Sequence, residues 1–299
     1  MDRELLTHFP VIMAVARHRG FAAAAAELSM SPSAVSHAVK TVEDRLGVPL
    51  FARTTRSVST SEAGSAFVTA IGPALTAIEE TVARLRASKG QIAGVLRLNV
   101  PRVALQMALT PVIAEMSRRH SDLTIEVASE DGLIDIVAEG FDAGVRLGEM
   151  IAEDMIAIRL TPPFKAIMVA APKYIEAGGE PLSIAQLGQH NCIGFRLIAS
   201  GGVYAWDLQE KGVDVKADVH GTVLVTDPLY AKELALAGVG IAYIFEPLVR
   251  SEIREKRLRW ILPRASIEEP GLFLYFPRRA SAAPKLRAFI DMAREILGS

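Results

Sequence analysis

The stretch Ser31-Pro32-Ser33-Ala34-Val35-Ser36-His37-Ala38-Val39-Lys40-Thr41-Val42-Glu43-Asp44-Arg45-Leu46-Gly47 is where the reading of this chain begins. A serine hydroxyl can cap free helix amides, and proline costs nothing in a first turn, where its missing N–H has no partner anyway. The spacing predicts a helix over 32–46, stopped by Gly47. Val35, Val39, Val42 and Leu46 recur at three and four residues and form one apolar face. Ser33, Ser36, His37 and Lys40 fall on the other. Small polar and basic side chains on an exposed face fit the major groove of DNA, about 12 Å wide. Taken alone, an ordinary solvated helix face explains the same pattern, so the neighbouring segments must decide.

Upstream, Leu5, Leu6, Phe9, Ile12, Met13 and Ala16 predict a helix with one apolar face, ended by Gly20. Phe21–Leu28 follows, a short helix built mostly of alanine, which combines high helix propensity with small bulk and lets neighbours approach closely. Ser29-Met30-Ser31 is the turn between it and the 32–46 helix. Downstream, Pro49–Thr60 alternates short polar and basic residues, as a small β-hairpin or wing does. Arg53 and Arg56, with Thr54, Thr55 and Ser57, are residue types suited to phosphate oxygens. A further helix, capped by Ser59 or Thr60 with Glu62 three residues after Ser59, runs to about Ala87. Phe67, Ile71, Ala74, Ile78, Val82 and Leu85 form a near-heptad seam along it. Two readings stay open: pairing with another chain, or packing on its own domain. Gly72-Pro73 interrupts the seam, and Ser88-Lys89-Gly90 reads as a hinge.

From Gly94 the rhythm is α/β, with parallel strands expected. Strands are predicted at Val95–Val100, Leu123–Ala128, Ala143–Leu147, Ala166–Ala170, Asn191–Phe195, Val219–Leu224 and Ile241–Phe245. Helices are predicted at Ala104–Arg119, Leu133–Glu139, Leu229–Leu236 and Pro284–Leu297. Two subdomains fit this length. Ligands of open α/β sheets bind at strand C-terminal ends, so a cleft between subdomains is the natural site.

Composition narrows the function classes. The chain has 299 residues, half apolar and 22% charged, which excludes disorder and predicts about two domains. With 33 basic and 34 acidic side chains, any basic face has to be local. The single cysteine, Cys192, excludes an intrachain disulfide and a cysteine-rich zinc site, and reads as a buried inert thiol. No stretch reaches the ~20 apolar residues of a membrane-spanning helix and no export signal is recognised, so a soluble cytoplasmic protein is expected. Neither a Gly-x-Ser-x-Gly elbow nor a phosphate-binding loop occurs. Ala237-Gly238-Val239-Gly240 precedes a strand instead of following one, and His120, His190 and His220 lack metal-ligand spacing. No cofactor, metal or catalytic residue is expected, and the chain is not read as an enzyme.

Together these residues resemble the LysR-type transcriptional regulators, over almost the whole chain. The match runs through Gly20-Phe21, Ala24-Ala25, Leu28, Ser31, Ser33-Ala34-Val35-Ser36, Val39, Glu43, Leu46-Gly47, Leu50-Phe51, Arg53, Thr54, Arg56, Thr60 and Gly64. It continues in Glu139-Gly140-Phe141-Asp142, Val145-Arg146-Leu147-Gly148-Glu149, Trp206, Ala237–Ala242, Tyr275–Arg279 and Leu286–Ile290. The resemblance implies an all-α winged helix-turn-helix domain over 1–60, a linker and dimerisation helix over 61–90, and an effector-binding domain over 91–299. That last domain is expected to be α/β and similar to periplasmic binding proteins. Its subdomain I takes 91–160 and 266–299, subdomain II takes 161–265, and the chain crosses near Leu160–Thr161 and Pro263–Ser266.

The implied partners are double-stranded DNA carrying an interrupted inverted repeat, a small effector, a homodimer or homotetramer, and RNA polymerase where such a regulator activates. Ser31, Ser33, Ser36, His37, Lys40, Arg53, Thr55 and Arg56 are the expected DNA-contacting residues. Pro101, Arg102, Val103, Arg146, Phe195, Arg196, Thr226 and Asp227 are the expected effector-site residues. Three positions depart from the usual pattern. His37 stands where arginine or glutamine is usual. Arg102-Val103 stands where relatives often place serine or threonine, which suggests a carboxylate-bearing effector near Arg102. Gly144 and Ser129–Gly132 are also less usual. For Arg146, carboxylate binding competes with a plain ion pair to Asp142 or Asp135.

Overall fold

The end signals of the first ninety residues reappear as helix termini in the computed structural model, which describes residues 3–53, 58–87, 91–132, 134–148, 151, 154–198 and 200–298. Two compact units result. The first runs to Ala93 and takes in Val137–Gly140; the second comprises Gly94–Ile136 and Phe141–Ser299.

In the first unit, α1 (Arg3–His18) and α2 (Phe21–Glu27) pack on α3 (Pro32–Leu46). Ser31 Oγ accepts from the Ala34 amide at 3.1 Å with Pro32 in the first turn, and Gly47 closes the helix in the left-handed conformation. Val35, Val39 and Val42 are fully buried with Ile12, Val15 and Leu50. Each buried valine contributes roughly 1.5–3 kcal/mol. Ala24 and Ala25 are buried in the same core, which is the close approach their small size permits. β1 (Phe51–Arg53) and β2 (Val58–Thr60) form an antiparallel hairpin. α4 (Glu62–Ala87) starts one step later than expected: Ser61, not Ser59 or Thr60, caps it, accepting from the Gly64 amide at 3.0 Å. The helix begins at Glu62, so Ser61 occupies the cap position, while Ser59 and Thr60 pair in β2. The α4 helix passes through Pro73, and Phe67 meets Phe9 of α1 edge-on at 5.0 Å.

Among the described residues, the second unit contains two large sheets. β3 (Gly94–Val100) leads into α5 (Arg102–Ala104), a π-helical stretch (Leu105–Leu109) and α6 (Thr110–Arg119). The helix predicted from Ala104 therefore begins two residues earlier, through a widened turn. β4 (Leu123–Ser129), β5 (Ala143–Leu147) and β6 (Met155–Arg159) follow; with β15 (Leu272–Pro277) they form the first sheet, in the order β4-β3-β5-β15-β6. Residues 136–140 form turns and not the predicted 133–139 helix; Leu133 lies outside the described residues.

The second sheet is built from β7 (Phe164–Ala170), β8 (Cys192–Phe195), β11 (Leu224–Val225), β12 (Ile241–Phe245), β13 (Arg259–Ile261) and β14 (Ile267–Glu269). Around it lie α7 (Pro172–Gly178), α8 (Pro228–Leu236) and α9 (Arg250–Arg254), with a separate antiparallel hairpin of β9 (Trp206–Glu210) and β10 (Val213–Ala217). The strand predicted over 219–224 shrinks to Leu224–Val225.

The sheets are mixed and not parallel throughout. β3 pairs parallel with β4 and β5, and β8 pairs parallel with β11 and β12. β15 (Leu272–Pro277) runs antiparallel to both β5 and β6, and β7 antiparallel to β12, β13 and β14. The reason is topological. β15 enters the first sheet from the other lobe and not through a helical crossover, so nothing imposes parallel direction. β14 still belongs to the second sheet, so the return crossing falls at Pro270–Gly271 and not at 263–266. The two crossings lie side by side. Thr161 Oγ1 accepts from the Leu272 amide at 2.9 Å, and the Leu160 amide donates to Leu272 O at 2.8 Å. Gly271 has φ +104° there, and a Cβ would stand 2.6 Å from Thr161 O, so only glycine fits. α10 (Pro284–Leu297) then packs on α6 and β3.

Candidate nucleic-acid interface and ligand cleft

Fixing the apolar face of α3 in the core leaves its opposite face outward. Ser33, His37 and Lys40 are exposed and Ser36 is half-buried. Ser33 Oγ lies 2.9 Å from Ser31 Oγ, so Ser31 is engaged as the cap and also steadies the first exposed serine. Thr41 Oγ1 bonds the His37 carbonyl at 3.0 Å and lies 3.5 Å from its Nδ1, leaving Nε2 as the outward nitrogen of the ring. Glu43 is the residue whose part sequence reading missed. Its Oε1 accepts from the amides of Leu50 and Phe51 at 2.7 and 3.1 Å, which ties the hairpin entry to α3. A glutamate on an exposed helix turn followed by a short loop was the available signal. Arg53 ends β1, opposite Val58. Thr55 and Arg56, and the Arg53 side chain, lie outside the described residues.

In the second unit the expected ligand residues come from both lobes. Pro101 precedes α5, and the Arg102 amide donates to Asp131 Oδ1 at 3.0 Å. The Arg102 guanidinium spans the lobes. Nη1 donates to Thr226 O at 3.1 Å and lies 3.4 Å from Asp227 Oδ2, while Nε lies 3.8 Å from Asp131 Oδ2. The arginine is thus flanked by two carboxylates of the protein itself. Val103 is buried among Ile167, Val169, Leu248 and Val249 of the second lobe, where it serves packing. Asp227 Oδ1 accepts from the Leu229 amide at 2.9 Å. Asp227 thus caps α8 with the chain's own carboxylate. Phe195 is half-buried; its carbonyl accepts from the Tyr204 amide. Arg196 is exposed and donates to Gly201 O at 2.6 Å.

Arg146 is 2% exposed. Its Nη1 donates to Val145 O at 2.6 Å, and Nη2 donates to Asn99 Oδ1 and Gly132 O at 2.6 and 2.7 Å. All three partners are neutral oxygens. Asp142, weighed above as its ion-pair partner, instead accepts from Lys285 Nζ at 2.7 Å and from the Arg97 amide at 2.8 Å. Burial lowers the Arg146 pKa, opposed by Tyr275, Asp131 and Glu130. Gly144, unexplained from sequence, underlies Tyr275: a Cβ there would stand 2.5 Å from the Tyr275 ring.

Other chemistry-bearing residues are structural. Cys192 is buried, its Sγ facing Leu187 O at 3.7 Å, and burial pushes the thiol up to about 11. His190 lies 3.3 Å from the Tyr174 hydroxyl. Among the described residues no cluster of side chains could hold a metal ion, and no helix is long and apolar enough to cross a membrane. Gly240 sits where a Cβ would be 2.0 Å from Asn191 O. Asn191 bonds Val239 O and Thr222 on either side, so the Ala237–Gly240 segment is a turn pinned by one asparagine.

Comparison with known proteins covers the chain nearly end to end. The family described as "Bacterial regulatory helix-turn-helix protein, lysR family" matches residues 6–65, and the family described as "LysR substrate binding domain" matches residues 89–298. The HTH-type transcriptional regulators YcaN and PgrR of Escherichia coli (strain K12) are each 35% identical. YcaN aligns over 97% of this chain and 94% of its own length, and PgrR over 97% of both. The structure of CrgA, a LysR-type transcriptional regulator from Neisseria meningitidis, superposes with a TM-score of 0.62 at 27% identity. It covers 100% of this chain and 99% of that one.

Proposed function

Since the chain belongs to the LysR family of transcriptional regulators, with a helix-turn-helix DNA-binding domain and a LysR substrate-binding domain, we propose how its own residues divide the work. Residues 1–60 form the DNA-reading module, 61–90 the dimerising linker, and the remainder the effector domain. α3 enters the major groove. Ser33, Ser36 and His37 reach base edges there, while Ser31, Lys40, Arg53, Thr55 and Arg56 hold phosphates. Phosphate contacts position the module and base contacts specify the site. Two such modules, joined through α4, read an interrupted inverted repeat. A small effector binds between the two lobes of the second unit, near Arg102, Arg146, Arg196 and Thr226. It acts by binding two assembly states with different affinity. The protein works in the cytoplasm and catalyses no reaction.

The observation that carries this reading is the outward face of α3, Ser33, His37 and Lys40, on a helix whose opposite face is locked in the core. The test is a fluorescence-anisotropy titration against DNA from immediately upstream of the protein's own gene, at several salt concentrations, with scrambled DNA alongside. Specific binding should exceed non-specific binding by about 10³ or more. Absence of binding to either DNA at low salt would overturn the assignment of α3.

A further inference from the structure

We propose that His37 reads its base through a hydrogen-bond acceptor, and that Thr41 decides this by fixing the tautomer of the ring. The base edge selected is then the exocyclic amino group of adenine or cytosine. This rests on the reading of α3 as the helix that enters the major groove, and says which chemistry one of its residues takes there. An imidazole with one proton has one donor nitrogen and one acceptor nitrogen, and the partner of the first decides what the second offers. In α3, Thr41 Oγ1 donates its one hydrogen to the His37 carbonyl at 3.0 Å. The same oxygen lies 3.5 Å from His37 Nδ1. With its hydrogen spent on the carbonyl, the hydroxyl has lone pairs alone to turn towards the ring. They attract a proton on Nδ1 and repel a lone pair there. The proton therefore sits on Nδ1, and Nε2, the outward nitrogen, is left as an acceptor.

The rest of the exposed face gives this acceptor its weight. His37 lies four residues from Ser33 and three from Lys40, so the three share one side of the helix. Lys40 carries donors alone. Ser33 Oγ lies 2.9 Å from Ser31 Oγ, where either hydroxyl can donate, so Ser33 adapts to whichever edge it meets. Of these three, His37 Nε2 is the group that accepts without donating. In the major groove adenine N6 and cytosine N4 are donors, whereas guanine N7 and O6 and thymine O4 are acceptors. Nε2 forms a hydrogen bond with either amino group. Against guanine O6 or thymine O4, lone pair meets lone pair. An arginine at this position, a pure donor, has the opposite preference, for guanine O6 and N7. Inverting the base pair that His37 reads therefore puts an acceptor where the amino group stood, and the pair is read in one orientation.

The test starts with selection of duplexes from a random-sequence pool by the full chain at pH 8, above the range in which an imidazole takes a second proton. His37→Ala, run in parallel, marks the base pair that this residue reads as the one whose preference it relaxes. The groups of that pair are then removed singly from the selected duplex. Unsubstituted purine for adenine, or 2-pyrimidinone for cytosine, deletes the amino group and tells the two bases apart. It should weaken wild type about three- to tenfold, the range one hydrogen bond allows, and His37→Ala less than twofold. A 7-deazapurine, which deletes the N7 acceptor, should cost wild type less than twofold. Inverting the pair should cost wild type at least fivefold. Thr41→Val keeps the shape of threonine and frees the tautomer, so inversion should then cost less than threefold, while Thr41→Ser should behave as wild type. The analogue measurements stand on the wild-type chain even if Thr41→Val does not fold. Loss of affinity on N7 deletion and not on amino deletion would overturn the proposal. So would a Thr41→Val chain that discriminates the inverted pair as wild type does, or an enriched site that His37→Ala leaves unchanged. Selection that enriches no site at all would sink the reading of α3 itself.

Discussion

Gly144 shows what a single residue decides. Its missing side chain is the space occupied by the Tyr275 ring, at 2.5 Å from where a Cβ would be. Gly144→Ala should destabilise the second unit by about 1–3 kcal/mol through overpacking, read from urea midpoints. Combining it with Tyr275→Ala should recover part of that loss, since the clash needs both side chains. Additive losses would place the cause elsewhere. Cys192 gives a prediction in pH. Its folded thiol titrates at about 11, against an ordinary value near 9, because burial disfavours the thiolate. The folded pKa is the higher one, so this contribution to stability is complete below about pH 9 and is lost as pH rises towards 11. The difference in urea midpoint between wild type and Cys192→Ala should shrink across that window. A flat difference from pH 8 to 11 would count against a buried, protonated thiol.

At the scale of elements, α4 carries the most exposed apolar stripe of the first unit. Ile78 is 62% and Val82 44% exposed, although both fall on the seam that begins with the half-buried contact of Phe67 and Phe9. One end of the helix thus packs on its own unit. The other presents apolar surface at heptad spacing, the pattern of a helix that pairs with a copy of itself. Ile78→Asp with Val82→Asp should convert the proposed homodimer to monomers in light scattering at micromolar concentration, with helical circular dichroism retained. An unchanged mass would move the dimer contact away from α4.

At the scale of the molecule, the two lobes of the second unit are joined in two different ways. The paired crossings at 160–161 and 270–271 are covalent, and hydrogen bonds to Leu272 hold them side by side. Arg102, by contrast, bridges the lobes through one carbonyl and one carboxylate, with its side chain about one-third exposed. Such partly exposed pairs contribute about 0.2–1 kcal/mol. Arg102→Met keeps the length of the side chain and removes the bridge. It should speed amide hydrogen exchange around residues 226–230 by about two- to fivefold, the factor that energy allows. Unchanged exchange would show that apolar packing of Val103 against Val249 holds the lobes without help from charge.

Read from the sequence alone, most of α3 was legible: its serine cap, its proline, its buried valines, its glycine stop and its outward polar face; Leu46, expected on the apolar face, is instead exposed in the last turn. Legible too were the limits of β12 and α10 and the existence of the hairpin. Each depends on residues within a few positions of one another, where steric and hydrogen-bonding rules act locally. The family also followed from the sequence, because its motifs are ordered strings of such local features. What Arg102 and Arg146 do was not legible. Arg102 meets Thr226 across 124 positions and Arg146 meets Asn99 across 47, and no periodicity reports which distant oxygen a guanidinium will find. β15 was missed for a related reason. Its direction and neighbours are set by the chain's return from the other lobe, and a six-residue apolar run is strand or buried helix until that partner is known. The sequence determined which segments fold and which face of α3 is free. Only the tertiary structure decided which charges are already spent, because charge compensation is a property of the packed whole.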